Sequence, residues 1–179
     1  MTLPRKLTLH KTHQEYHLKN YPISTLGRYE SNPVVLPTIQ GGNTIDAEAL
    51  QQSHITFEVT DTSKDFAIVF SNDLDESYRI GYDAKSNTFY TDRRQSGQVA
   101  FEARFAEHIH TAPGLSSPKD PAAFSIYLDA SSSECFINEG AIVLTDQLFP
   151  NSPYTHIQFI GEETHFEHIK ITNIDSIWK

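Results

Sequence analysis

Short segments in which apolar and polar residues alternate recur along the chain from residue 54 onward. In residues 55–59 the apolar side chains of Ile55, Phe57 and Val59 are separated by Thr56 and Glu58, so one face would be buried and the other would face water. Further segments of strand-like composition are 66–70, 78–82, 88–92, 124–128, 135–137, 141–145, 155–160 and 166–174. Because a period of two is typical of β-strands and helical periodicity is nearly absent, the pattern predicts an all-β fold.

Clusters of turn-forming residues separate these segments. Residues 83–87 lie between two of them and predict a hairpin, and residues 138–140 predict a second tight turn in which Gly140 can adopt a positive φ. The pattern predicts about ten to twelve strands, which is more than a minimal immunoglobulin sandwich contains. We therefore expect a two-sheet antiparallel β-sandwich, a jelly roll of the concanavalin and galectin type.

The first fifty residues are less regular. Residues 7–9 and 16–18 have an extended pattern, prolines at positions 22, 33 and 37 interrupt it, and only residues 46–52 have the composition of a helical turn. The chain contains 179 residues, with neither an internal repeat nor a low-complexity tract. This length is within the range of one β-sandwich, so we expect a single domain.

The formal charge of −9 repels phosphate groups and argues against nucleic acid and anionic membrane surfaces as partners. No apolar run reaches the length of a membrane span or of a secretion signal, and the chain as given is expected to be soluble. Cys135 is the single cysteine and lies in the apolar run 135–137, which predicts a buried free thiol.

Nine histidines raise the question of a metal site. His108 and His110 lie two residues apart, so on a strand both rings would share one face and could form a two-ligand edge. However, there is no cysteine cluster, and His165 and His168 are three apart in a strand-like segment. We expect scattered polar histidines, no metal and no cofactor. A hydrolase triad of Ser and His residues is also disfavoured, because no G-x-S-x-G motif is present.

One stretch carries a specific resemblance. Residues 128–140, LDASSSECFINEG, are similar to the motif V-D-x-S-S-[VI]-E-[VL]-F-[VI]-N-x-G of the C-terminal module of glycoside hydrolase family 32, which comprises invertases, levanases and inulinases. Further stretches resemble that module in the same order, so the likeness spans the whole chain. They are TLPRKLTL at 2–9, with Lys6 where Glu is usual, GYD, NTFY, DRR and SG within 81–97, HTAP at 110–113, and SIW at 176–178.

The resemblance implies that residues 1–12 are the connector from an N-terminal catalytic propeller of the same parent chain and that residues 13–179 form the β-sandwich. A retaining glycosidase needs two carboxyl groups about 5–5.5 Å apart, and this family draws its catalytic groups from the propeller motifs N-D-P-N-G, R-D-P and E-C-P. None of these motifs is intact here; the nearest stretches are SNP at 31–33, KDP at 119–121 and ECF at 134–136. We therefore expect no catalytic residue in this chain.

Glu134 has two interpretations, because a carboxylate among strand residues must be exposed, paired or protonated. It is either a structural carboxylate, with Arg93 or Arg94 as its partner, or a residue at the contact with the propeller. The resemblance implies structural roles for a set of motif residues: Asp92, Arg93, Asp129, Glu134, Phe136 and Asn138.

The resemblance favours an accessory domain that packs against the catalytic propeller, and Leu3, Leu7 and Leu9 are the residues expected to face it. The alternative is a carbohydrate-binding module, which would display a planar or grooved aromatic site with polar neighbours and would bind fructan or another sugar through exposed rings. The candidate rings are Tyr82, Tyr90, Tyr127 and Tyr154. An independent enzyme is the third possibility, and it lacks an acid pair.

The resemblance also implies the activity of the parent, which would hydrolyse β-fructofuranosyl bonds in levan, inulin or sucrose. A parent that degrades polysaccharide is expected to be extracellular or periplasmic. The residues that distinguish these substrates would lie on the propeller.

Overall fold

The computed structural model describes residues 2–11, 15–47, 50–114 and 120–176. They form an antiparallel β-sandwich, which confirms the predicted fold class. Fifteen strands lie within the described residues, together with one 3₁₀ helix, Ser24–Tyr29. The strands are β1 Arg5–Lys11, β2 Tyr16–Pro22, β3 Glu30–Val35, β4 Ile39–Gln40, β5 Thr44–Asp46, β6 Ser53–Val59, β7 Phe66–Ser71, β8 Ser77–Asp83, β9 Thr88–Gln95, β10 His110–Pro113, β11 Ala122–Asp129, β12 Ser132–Ile137, β13 Ile142–Gln147, β14 His156–Ile160 and β15 His165–Ile174.

Two sheets make up the sandwich. The six-stranded sheet has the order β10-β9-β8-β7-β14-β5, and the seven-stranded sheet has the order β13-β12-β11-β6-β15-β3, with β4 also pairing with β15. All pairs between these strands are antiparallel, as the short connections allow. Strands β1 and β2 form a separate two-stranded hairpin.

The core lies between the two sheets and is built by the alternation seen in the sequence. In β6 every second residue is buried, and in β7 five successive residues are buried, as expected for a strand inside a sheet. Aromatic rings fill much of the space, with Phe57 and Phe124 stacked at 4.5 Å between ring centroids. Cys135 is fully buried in this core as a free thiol, as predicted, and burial raises the pKa of the thiol.

Both predicted tight turns are present. Strands β8 and β9 pair across residues 83–87, and β12 and β13 pair across residues 138–140. In the second turn Gly140 has a φ of +76°, and a Cβ at this position would lie 2.1 Å from the carbonyl oxygen of Asn20. Glycine is therefore required both for the turn and for the close approach of β2, whose Asn20 N–H donates to the Gly140 carbonyl at 2.9 Å.

Several expectations were wrong or lie outside the described residues. The strand count is higher than predicted, because β3, β4 and β5 occupy the irregular first fifty residues, where prolines and turns hide the alternation. The described part of residues 46–52 contains no helix, and Asp46 ends strand β5 instead. Residues 48 and 49, Lys119 and the closing Ile177 and Trp178 are not among the described residues, nor are Met1 and Thr12 of the predicted connector.

Candidate domain-docking face

The hairpin β1–β2 exposes apolar side chains on one of its faces. Leu9 pairs with Leu18 in register, Leu7 pairs with Asn20 and Lys11 with Tyr16, so these side chains point the same way. The exposed fractions are 61 % for Leu7, 63 % for Leu9, 62 % for Tyr16 and 57 % for Leu18. We call these four residues the hairpin patch.

The hairpin is fixed to the outer face of the seven-stranded sheet. The ring of Tyr21 meets the ring of Phe136 edge to face, with 5.6 Å between the centroids. Lys19 forms an ion pair with Glu139 at 2.8 Å. Phe136 is fully buried although it is not part of the central core, because the hairpin covers it from outside.

Glu134 binds the N-terminal segment that the resemblance predicts to be a connector. Its Oε1 accepts the backbone N–H of Leu3 at 2.7 Å, and its Oε2 accepts Nη2 of Arg5 at 2.6 Å and Nε at 3.2 Å. The side chain of Glu134 is 4 % exposed and that of Arg5 is 16 % exposed. A carboxylate this deeply buried needs such a partner, because desolvation disfavours an isolated charge. We call Leu3, Arg5 and Glu134 the connector clasp.

The expected partner of Glu134, Arg93 or Arg94, was therefore wrong. Both arginines lie on β9 in the six-stranded sheet, whereas Glu134 points outward from the seven-stranded sheet. Arg94 instead forms two hydrogen bonds to Asp92, at 2.7 and 2.9 Å, and this contact lowers the pKa of Asp92. The guanidinium of Arg93 lies 4.0 Å from the ring centroid of Phe105.

Arg93 also approaches a buried carboxylate, Asp146, with 3.9 Å between Nε and Oδ1. Asp146 accepts the hydroxyl of Tyr78 at 2.9 Å, and Nδ1 of His110 lies 2.6 Å from its Oδ1. This group ties β8, β9 and β10 of one sheet to β13 of the other.

Two further motif residues, Asn138 and Asp129, make hydrogen bonds to backbone groups at strand ends and turns. Oδ1 of Asn138 accepts the backbone N–H of Ala123 at 2.8 Å, and its Nδ2 donates to the carbonyl of Pro121 at 3.2 Å. Oδ1 of Asp129 accepts the backbone N–H of Ala130 at 2.8 Å.

A groove of about 570 Å³ lies beside the connector clasp. Its polar lining includes Asp129, Glu134 and Asp175, and connector residues form one of its walls. Its apolar lining includes Leu3, Pro4, Ile23, Leu26, Tyr29 and Tyr127. We call it the connector groove.

Two of the four candidate tyrosines are not exposed. Tyr82 is 1 % exposed and donates to Asn87 at 2.8 Å, and Tyr154 is fully buried and donates to the carbonyl of Ser96 at 3.1 Å. Burial raises the pKa of Tyr154. The expectation of exposed rings is wrong for these two because both rings occupy the core.

Tyr127 and Tyr90 are each partly exposed. Tyr127 lines the connector groove and stacks on His54, with 4.1 Å between the centroids and an angle of 7°. Tyr90 lies on the outer face of the six-stranded sheet, above Gly81. Only these two of the candidate rings are available to a ligand.

A chain of three residues has the distances of a hydrolase triad. Nε2 of His54 lies 2.8 Å from the hydroxyl of Ser125, and its Nδ1 lies 2.7 Å from Oε1 of Glu30. Burial lowers the pKa of His54, and the contact with Glu30 opposes this shift.

This trio lacks two requirements for acyl transfer. Ser125 is only 5 % exposed, so a substrate carbonyl has no access to its hydroxyl. Strand β11 pairs at this position with β12 and with β6, so the neighbouring N–H groups are used in the sheet and do not form an oxyanion hole.

His108 and His110, which could have formed a pair of metal ligands, bind different partners. His108 lies before β10, is 78 % exposed and faces Glu107 at 3.6 Å, whereas His110 binds Asp146. Within the described ranges no group of three or more His, Cys, Asp or Glu side chains is placed to hold a metal ion.

No helix in the same ranges is long and apolar enough to cross a membrane.

The chain is similar to one family model and to several known proteins. The family model described as "Glycosyl hydrolases family 32 C terminal" matches residues 25–173. The chain is 31 % identical to the extracellular exo-inulinase inuE of Aspergillus ficuum over 128 residues, which is 69 % of this chain and 24 % of that protein. It is 23 % identical to a levanase of Bacillus sp. (strain L7) over 189 residues, covering 100 % of this chain and 20 % of the levanase.

The fold is similar to that of the exo-inulinase from Aspergillus awamori. The TM-score is 0.80 at 24 % identity, over 99 % of this chain and 36 % of the solved chain. The chain therefore spans about a quarter of the length of the curated relatives it matches.

Proposed function

Since the chain belongs to the C-terminal domain family of glycoside hydrolase family 32, we propose that it is the accessory β-sandwich of a fructan-cleaving hydrolase. It packs against a catalytic propeller that precedes it in a parent chain. The observation that carries this proposal is the hairpin patch, an exposed apolar face beside the segment that leads to such a domain.

The size of the hairpin patch supports an interface. Four large side chains with 57–63 % of each exposed leave on the order of 400 Å² of mostly apolar surface, about the size of the largest patch on a typical monomer. Interfaces between domains of one chain bury about 600–1,500 Å². The patch and the adjoining connector groove supply a contact area of that order. Leu7 and Leu9 are central to it, whereas Leu3 lines the groove.

The connector clasp supports a fixed orientation between the two domains. The N–H of Leu3 and the guanidinium of Arg5 both bind Glu134, so the connector is held to the sheet at two points. A domain joined on its N-terminal side is thereby held close to the hairpin patch. In this proposal the two interpretations of Glu134 combine, because a paired structural carboxylate also positions the neighbouring domain.

The activity of the parent is hydrolysis of β-fructofuranosyl bonds in levan, inulin or sucrose. The names of the relatives, exo-inulinase and levanase, support this assignment. The catalytic carboxylates belong to the propeller, and the contribution of this chain is structural.

The test is made in the parent enzyme with the double substitution Leu9→Asp/Leu18→Asp, numbered as here. We expect a lower melting temperature, faster proteolysis between the domains and reduced fructose release, because two carboxylates cannot be buried in an apolar contact. The same substitution in the isolated chain should leave its melting temperature nearly unchanged, since both side chains are exposed there.

The matched control is Val34→Asp/Val35→Asp. These two valines are also exposed, at 53 % and 73 %, but they lie on the edge strand β3. Equal effects of the two double variants on the parent enzyme would contradict the proposal. Fructose release by the isolated chain would contradict the assignment of catalysis to the propeller.

A further inference from the structure

The outer face of the six-stranded sheet carries a second feature, separate from the docking face. We infer that this face binds a neutral oligosaccharide, with the ring of Tyr90 as its centre. The inference does not depend on the packing of a catalytic domain, because the connector clasp and the hairpin lie against the other, seven-stranded sheet.

The ring of Tyr90 is held flat on the sheet by the absence of a side chain beneath it. Tyr90 and Gly81 are directly opposite each other in the β8–β9 ladder. A Cβ on Gly81 would lie 2.5 Å from both Cζ and Oη of the tyrosine, so the ring occupies the space that a side chain would fill. Tyr90 as a whole is partly exposed, so the ring is not sealed by the rest of the sheet. The C–H face of a sugar ring can stack on such a surface.

Charged side chains of both signs surround this ring. Arg79 pairs with Asp92 in register, Arg94 binds Asp92 through two hydrogen bonds, and Asp83 lies two residues beyond Gly81 on the same face. These two positive and two negative side chains balance on this face, although the whole chain carries −9. The third arginine of the two strands, Arg93, approaches the buried Asp146 instead.

The balance of charges indicates the class of ligand. A sugar hydroxyl both donates and accepts hydrogen bonds. Guanidinium groups supply donors and carboxylates supply acceptors, so a rim that contains both suits a neutral polyol. A polyanion would need an excess of positive charge, which this face does not have.

The face is open and lacks the features of a protein-binding patch. Arg79, Arg94, Thr111 and Gln158 are exposed along it. Among the described residues, the large hydrophobic side chains that are strongly exposed lie elsewhere, and none is on strands β7 to β10. A protein interface has a core of such side chains, so a sugar fits this surface better than a second protein does.

The test uses the isolated chain, titrated with levan-type and inulin-type fructo-oligosaccharides in a calorimeter. We expect saturable heat for the wild type and for Tyr90→Phe, which keeps the ring. Binding should be weaker by about tenfold or more in Tyr90→Ala, equivalent to about 1.4 kcal/mol. The matched control is Tyr16→Ala, which removes a tyrosine of the hairpin patch and should bind as the wild type does.

A second measurement does not require any variant to fold. In NMR titration of the wild-type chain, the Tyr90 ring signals and the Gly81 amide should shift with the same saturation curve as the heat. The inference is overturned if no heat is seen with either oligosaccharide, if Tyr90→Ala binds as well as the wild type, or if the shifts cluster on the hairpin patch. None of these results bears on the proposed docking of the propeller, which is measured in the parent enzyme.

Discussion

The two sheets of the sandwich have the same alternation of inward and outward residues, but their outer faces differ. The seven-stranded sheet is covered by the hairpin β1–β2, which buries Phe136 and the ion pair of Glu134 with Arg5. The six-stranded sheet is open, and its ion pair of Asp92 with Arg94 remains in contact with water. An arginine–carboxylate pair is therefore buried on one face and accessible to water on the other, and the hairpin that covers the first face accounts for the difference.

The largest effect that would sharpen this comparison is expected from Phe136→Ala. The ring is fully buried under the hairpin, so its removal leaves a cavity and should lower the free energy of unfolding by about 3–5 kcal/mol. Urea denaturation of the isolated chain measures this value. Tyr90→Ala on the open face is the control and should cost much less, because that ring is only partly buried. Similar costs for the two variants would mean that the hairpin does not seal its face.

A smaller effect is expected from Glu134→Ala. This change leaves the guanidinium of Arg5 without its carboxylate in a mostly buried site, and breaking such a pair costs roughly 3 kcal/mol. Urea denaturation and hydrogen exchange of the β1 amides measure the loss, which should appear first as detachment of the hairpin. In the control Asp92→Asn, on the open face, little change is expected, because water screens that pair. If the control lost as much stability as Glu134→Ala, burial would not explain the difference between the faces.

The smallest effect concerns pH, and the two faces should respond with opposite signs. Burial lowers the pKa of His54, on the covered face, below its ordinary value of 6.5. The unfolded chain therefore binds the proton more readily, and His54 should reduce stability as the pH falls through 6.5. His156, on the open face, has a raised pKa because Asp73 and Asp46 bind its ring. Its stabilising contribution is complete below 6.5 and is lost as the pH rises through the folded pKa.

Unfolding curves of His54→Gln and His156→Gln across this pH range, each compared with the wild type, separate the two contributions. On acidification the free energy of unfolding of His54→Gln should rise relative to that of the wild type. On acidification the free energy of unfolding of His156→Gln should fall relative to that of the wild type. The same sign for both histidines would contradict the assignment of one to a buried and the other to an open environment.

The strands could be predicted where alternation was clear, and the same pattern also contained information about the tyrosines. In β8, Tyr82 lies two residues after the buried Ile80, so both side chains point into the core. In β9, Tyr90 directly follows the buried Phe89, so its side chain points outward. Composition alone does not distinguish the buried Tyr82 from the outward Tyr90, but the odd or even spacing of each tyrosine from a core residue does. Tyr154 lies before β14 in a segment without regular alternation, so its burial could not be derived in this way.

The partner of Glu134 could not be predicted, because it is 129 residues away in the sequence. Arg93 and Arg94 were candidates because they belong to another motif of the same family, yet motif membership does not determine which sheet face a side chain occupies. The pairing with Arg5 depends on how the hairpin folds over the outer face, and that is decided by contacts of Phe136 and Gly140 that no local pattern reveals.

The long sequence separation between Arg5 and Glu134 also affects how the chain matures on the ribosome. The carboxylate partner of strand β1 is synthesised 129 residues after Arg5, which is on the order of ten seconds later at about 5–20 residues per second. During that interval the hairpin lacks the ring of Phe136 and the carboxylate of Glu134, the contacts that hold it to the sheet in the folded chain. Unpaired strand edges and exposed apolar side chains are aggregation-prone until the non-local contacts form, so strand β1 is held in place only after β12 has been made.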